Sequence, residues 1–232
     1  MPFLIIFLLQ ILTLYFLSRS LISKFQRNIF KIFKNKTLST YIFAFLFLPG
    51  TFLHELSHWI VAKILFVRTG KFSIKPKLDE LDEGSHQIIL GSVEIEKGNP
   101  VKRLIIGSAP FFLGIALLLL LISYATSHEL FTNNLYAVIL IYFIFQIANT
   151  MFSSKSDMEG AWKVGLVLAA VYTATYYLGV RITIDFEALY SNKLVSLIKQ
   201  TNTYLLWPIA IDAVLLLLFK AMGDLTRRQP HT

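Results

Sequence analysis

The chain contains no cysteine. Disulfides, thiolate metal ligands and a cysteine nucleophile are therefore excluded, and any metal must be held by His, Asp or Glu. Charge is scarce as well: 16% of the 232 residues are charged against 55% hydrophobic, and the mean hydropathy is +0.62. This balance lies outside the range of soluble globular domains and points to a polytopic membrane protein. Five histidines in all cannot fill the several His clusters of a membrane diiron desaturase or hydroxylase. No internal repeat, low-complexity tract or interdomain linker is present, so a single membrane domain over residues 1–232 is expected.

What the chain has in quantity is apolar sequence. A spanning helix takes about 20 largely apolar residues, and six stretches meet this requirement: 2–18, 40–67, 104–125, 134–152, 161–180 and 203–222. The expected fold is all-α: a membrane bundle of about six helices, with its core over 40–180 and peripheral helices at 1–36 and 203–222. No basic residue precedes the first run and no small-residue cleavage site follows it, so it is expected to be retained as a span. The polar segment 68–103 contains short alternating runs, "KFSIK" and "GSVEIE", between Gly, Pro and acidic turns. It predicts a small β-hairpin or sheet inserted between the second and third spans. "GSVEIE" (91–96) is the candidate exposed edge that would accept an extended chain, or a hairpin that plugs the entrance; "DELDEG" (79–84) reads as a solvated turn.

The net charge of +8 does not indicate nucleic acid, because the basic residues flank apolar runs, in "SRSLISKFQRNIFKIFKNK" (18–36) and at Arg227 and Arg228. A membrane-surface role, in the cytoplasmic membrane, is expected for them. Lys155, Lys163, Lys220, Arg227 and Arg228 assign the ends of the second and fourth spans, and the C-terminus, to the cytoplasm; the loop 125–134, without Lys or Arg, suits the other face. Six simple crossings would then put 19–36 outside, against the charge rule. Either residues 20–36 form a surface helix and one N-terminal segment does not cross, or the charge bias is overridden.

Chemistry is concentrated in "FLPGTFLHELSHWIVAKILF" (47–66). On a helix, His54 and His58 stack on one face, where both imidazoles can bind one ion, and Glu55 lies one step round. This is the arrangement of a zinc hydrolase, with Glu55 as general base towards a water whose pKa the metal lowers to about 7, and later as proton donor to the leaving amine. A charge within a span costs about 2.5–3.5 kcal/mol, which argues against an incidental placement. Pro49 and Gly50 would kink the span or admit water. Two histidines and a water leave a tetrahedral ion one ligand short. The remaining histidines, His86, His128 and His231, lie outside the spans; Glu129, Asp157 and Glu159 are the carboxylate candidates.

A membrane-embedded HExxH with a later aspartate just past a span resembles the site-2 protease family of intramembrane zinc metalloproteases. That family's second motif runs Asn-x-x-Pro-x-x-x-x-Asp-Gly, and Asn149 and Asp157 stand at the same spacing, with Phe152 in place of the Pro and Met158 in place of the Gly. "GSAPFFLG" (107–114), with Ser108 and Pro110, is similar to the family's small-residue-plus-Pro motif. The resemblance, over about 50–160, implies Asp157 as third ligand of one zinc ion per chain, and Asn149 as a donor to the substrate carbonyl or its oxyanion. Read by themselves, Asn149 is also suited to an interhelical hydrogen bond and Asp157 to the N-cap of the fifth helix, a role that can coexist with metal binding. The implied activity is hydrolysis of a peptide bond of a membrane-bound protein within or near the bilayer. The alternatives are a membrane protease of the gluzincin kind with a Glu ligand, and a metal transporter or scaffold; against the last, only Asp212 lies within another span.

Overall fold

A computed structural model describes residues 2–80, 86–96, 99–152, 154, 156–158, 161–177 and 192–227. The chain runs α1 (Pro2–Phe33), α2 (Lys36–Leu46), α3 (Leu48–Ile64), β1 (Thr69–Ser73), β2 (Lys77–Glu80), β3 (His86–Ile89), β4 (Ser92–Ile95), α4 (Pro100–Ser127), a 3-10 turn (Leu130–Thr132), α5 (Asn134–Thr150), α6 (Ala161–Tyr177) and α7 (Asn192–Arg227). Asparagine side chains start three of the helices: Asn35 accepts from Leu38 N–H, Asn99 from Val101 N–H, and Asn133 from Leu135 and Tyr136 N–H. The expected β insertion is an antiparallel ribbon in two parts, β1 with β4 and, beyond it, β2 with β3.

The expected count of six spans is not reached among the described residues. Three helices are long and apolar enough to cross a membrane: α1, α4 and α7 over Val195–Ala221. A fourth results only if α2 and α3 count as one span, and these are bent by 70°. The break follows from Pro49, which has no N–H to offer Phe45 and whose ring clashes with that carbonyl. The Leu46 carbonyl left over at the end of α2 accepts instead from Tyr142 Oη at 3.0 Å and Gln146 Nε2 at 2.7 Å, both on α5. The basic stretch after residue 18 is no separate surface helix; it continues α1 to Phe33.

Helix directions follow from contacts at their ends. Asn202 Nδ2 donates to Phe3 O, and the rings of Phe25 and Phe219 lie 4.7 Å apart, so α1 and α7 are parallel. Leu14 of α1, Leu118 and Ile122 of α4 and Leu205 of α7 share one buried cluster, and the Phe131 ring just past α4 stacks on Trp207 at 4.6 Å, which places the C-terminal end of α4 beside the N-terminal halves of α1 and α7. With 28 residues α4 rises about 42 Å, and it therefore begins at the end of the bundle where α1 finishes. The α3 helix runs antiparallel to it, with Lys102 Nζ on Leu65 O at 2.9 Å. Both ends of the 34–99 segment thus lie at one end of the bundle, and the bent α2–α3 pair points inward between them.

Candidate metal centre

His54 and His58 stand one turn apart on α3, with ring centroids 4.9 Å apart and Nε2 atoms at 3.2 Å. Each Nδ1 faces a backbone carbonyl: His54 that of Thr150, and His58 that of Ile106 at 2.8 Å. A carbonyl can only accept, so both Nδ1 atoms carry the hydrogen and both Nε2 atoms are left with a lone pair. Asp157 completes a triangle, with Oδ2 at 3.5 Å from His54 Nε2 and Oδ1 at 3.4 Å from His58 Nε2. Three acceptors directed at one point repel one another unless a cation lies between them.

The spacing fits zinc. Two ligand atoms at about 2.0–2.1 Å from an ion and at the tetrahedral angle lie about 3.3–3.4 Å apart, and the observed edges of 3.2, 3.4 and 3.5 Å bracket that value. No other His, Asp or Glu group of metal-binding spacing occurs among the described residues. The structure thus brings together His54, His58 and Asp157. Glu129, in contrast, follows the C-terminal end of α4, at the opposite end of the bundle; Glu159 lies outside the described residues, as do residues 81–84 of the acidic turn.

Each ligand is held by backbone that the helices do not use. The Thr150 carbonyl is free because α5 ends there; the N–H four residues on, that of Ser154, donates to Asp157 Oδ2 at 2.6 Å. The Ile106 carbonyl lacks its usual partner because residue 110 is proline. Asp157 is fixed further by its own N–H on Ser154 Oγ at 3.2 Å. Its carbonyl packs on Gly107 so closely that a Cβ there would overlap it.

Glu55 is buried beneath the β ribbon: Gly91 packs against its Cγ, and the Val93 N–H is within reach of its carboxylate. The β4 strand, expected as an edge or as a plug, pairs with β1 alone among the described residues and begins directly over Glu55. Asn149 is placed differently from the role implied for it. Its Nδ2 hydrogens go to Phe145 O at 3.0 Å and Asp212 Oδ1 at 2.8 Å, inside the bundle. Beside His54 a small cleft opens between α3, α4 and α5, bounded by Leu53, Leu113, Leu117 and Ile147. The supporting carbonyls and the Ser154 turn were not foreseen; only Pro110, four residues after Ile106, carried a signal. Compared with protein-family models, with curated proteins and with solved structures, the chain matches none.

Proposed function

We propose that the protein is a zinc-dependent endopeptidase that hydrolyses a peptide bond of a membrane-bound protein within or near the bilayer. The observation that carries this reading is the triangle of three lone-pair atoms, two imidazole Nε2 and one carboxylate, at zinc spacing beside a buried glutamate. His54, His58 and Asp157 would hold the ion, leaving a coordination position open for water or substrate. Bound zinc supplies Lewis-acid activation of water and of the scissile carbonyl. The chain's own residues do the rest. Glu55 takes the proton from the attacking water and returns it to the leaving amine. The Gly91 backbone at the head of β4 lies against that carboxylate in the resting state, and a substrate strand would be accepted along the free edge of β4.

We further infer that α2–α3 is a re-entrant pair rather than a crossing. The α1 and α4 helices run antiparallel, so a membrane containing both has residues 34 and 99 on one face, and the segment between them must return to the face it left. This arrangement removes the charge conflict of six simple crossings: Arg19, Arg27, Lys31, Lys102, Arg103 and Lys220 then share one face, the cytoplasmic one.

The deciding experiment is Glu55→Gln in protein reconstituted with single-span membrane substrates. Loss of cleavage with zinc still bound is the expected result; cleavage at the parental rate would refute the role of Glu55. A protein that binds no zinc would refute the metal reading altogether.

A further inference from the structure

We propose that Pro110 is a positioning residue for the metal centre: by offering no N–H to Ile106 it leaves the Ile106 carbonyl to hold the His58 imidazole. The inference rests on the zinc reading above and deepens it.

In an uninterrupted helix the carbonyl of residue 106 accepts from the N–H of residue 110. Proline has no N–H, and its ring presses against the carbonyl four residues back and tilts it away from the helix axis. Proline is the least favourable residue in a helix interior, and α4 carries Pro110 well inside Pro100–Ser127. Where a membrane helix gives up a backbone bond, the freed carbonyl needs another donor. Here the donor is His58 Nδ1, at 2.8 Å and buried.

The consequence reaches the ligand atom. With Nδ1–H committed to Ile106 O, the imidazole of His58 has one tautomer and one ring orientation, and its Nε2 lone pair points towards His54 Nε2 and Asp157 Oδ1. His54 needs no such device, because the Thr150 carbonyl is already free at the end of α5. The ligand whose partner lies in mid-helix, and only that one, has a proline four residues after the partner.

A residue that merely packs would behave differently on substitution. Pro110→Ala restores the N–H, which competes for Ile106 O and draws it back towards the helix axis. Zinc affinity, measured by competition with a chelating dye in purified protein, is expected to fall about 10- to 100-fold, the range for loss of a partner of a metal-bound histidine. The melting temperature of the metal-free protein is expected to stay level or rise, because a helix-breaking residue has been removed. Lactic acid at position 110, the α-hydroxy analogue of alanine, has neither ring nor N–H and is expected to restore parental zinc affinity. Pro208→Ala, at the other proline within a helix, is expected to leave zinc affinity unchanged.

Parental zinc affinity in Pro110→Ala overturns the proposal, as does failure of the lactic acid variant to bind zinc tightly, which also decides the matter if Pro110→Ala does not fold. An equal loss in Pro208→Ala overturns it too, by assigning the effect to helix prolines in general. Each of these outcomes leaves zinc binding by the parent protein intact. Absence of zinc from the parent protein would instead overturn the metal reading itself.

Discussion

Gly107→Ala adds one methyl group, changes no ligand, and should nevertheless disable the metal centre. A Cβ at position 107 falls inside contact distance of the Asp157 carbonyl oxygen. Restoring even the shortest separation that Cβ atoms show, 3.0 Å, requires a retreat of about 1 Å. Metal–ligand distances tolerate about 0.2 Å, so the required shift is roughly five times the tolerance. If the Asp157 turn gives way, its carboxylate leaves the triangle with the two imidazoles, whose present edges are 3.4 and 3.5 Å. If α4 gives way instead, Ile106 O moves off His58 Nδ1. Either response weakens the ligand set. We expect zinc affinity to drop at least 10- to 100-fold, by analogy with loss of a supporting partner, in a chelator competition on purified protein. Gly165→Ala is the control, since nothing lies within 4 Å of an added Cβ there. Parental affinity in Gly107→Ala, or an equal loss in Gly165→Ala, would refute the reasoning.

The absence of native cysteine makes single-cysteine labelling direct: with a membrane-impermeant maleimide, Lys31→Cys and Lys75→Cys should react from one face and His128→Cys from the other. Labelling of positions 31 and 75 from opposite faces would make α2–α3 a crossing after all. Asp212 and Asn149 each keep a buried oxygen without a partner, Oδ2 and Oδ1 respectively, and an amide at 212 can serve both residues by pairing head to tail. Asp212→Asn should therefore raise the melting temperature, by an amount equivalent to about 1 kcal/mol. Asp212→Leu, which strands the Asn149 amide, should lower it by about 1–3 kcal/mol; the reverse order would refute the pairing.

The ligand pair on α3 was legible in sequence because its geometry is local. Four residues are one helical turn, and no tertiary contact is needed to bring His54 and His58 together. Asp157 is more than a hundred positions along the chain from His54, and only the spacing from Asn149 singled it out. The same spacing suggested a substrate contact for Asn149, where the structure has its amide turned to Asp212. An asparagine at the end of an apolar helix reads alike for both roles, and what separates them is which helix packs behind it. The apolar run 40–67 reads as one span, and the structure divides it into two helices bent by 70°. Hydropathy counts residues and not direction, so a bent run scores like a straight one. Pro49 marked the kink, but the bend is held by α5, through Tyr142 and Gln146 on the Leu46 carbonyl.

These places have one physical logic. Within a bilayer a backbone carbonyl without a donor costs several kcal/mol, so a membrane helix ends or breaks only where other groups take up the freed carbonyls. Around the metal centre the chain does this at three places: after Leu46, at Ile106 and at Thr150. Tyr142 and Gln146 serve the first, His58 the second and His54 the third. The last two donors are the proposed metal ligands. An imidazole bonded through Nδ1 to a freed carbonyl satisfies the backbone and presents Nε2 to an ion at the same time. Breaking the helices and building the site are therefore one structural solution, and this explains why His58, which is buried, and His54, which is partly so, can stand in an apolar segment with their Nδ1 hydrogens satisfied. It also explains why Pro110, unfavourable for α4 taken alone, lies four residues after the one carbonyl in mid-helix that a ligand needs.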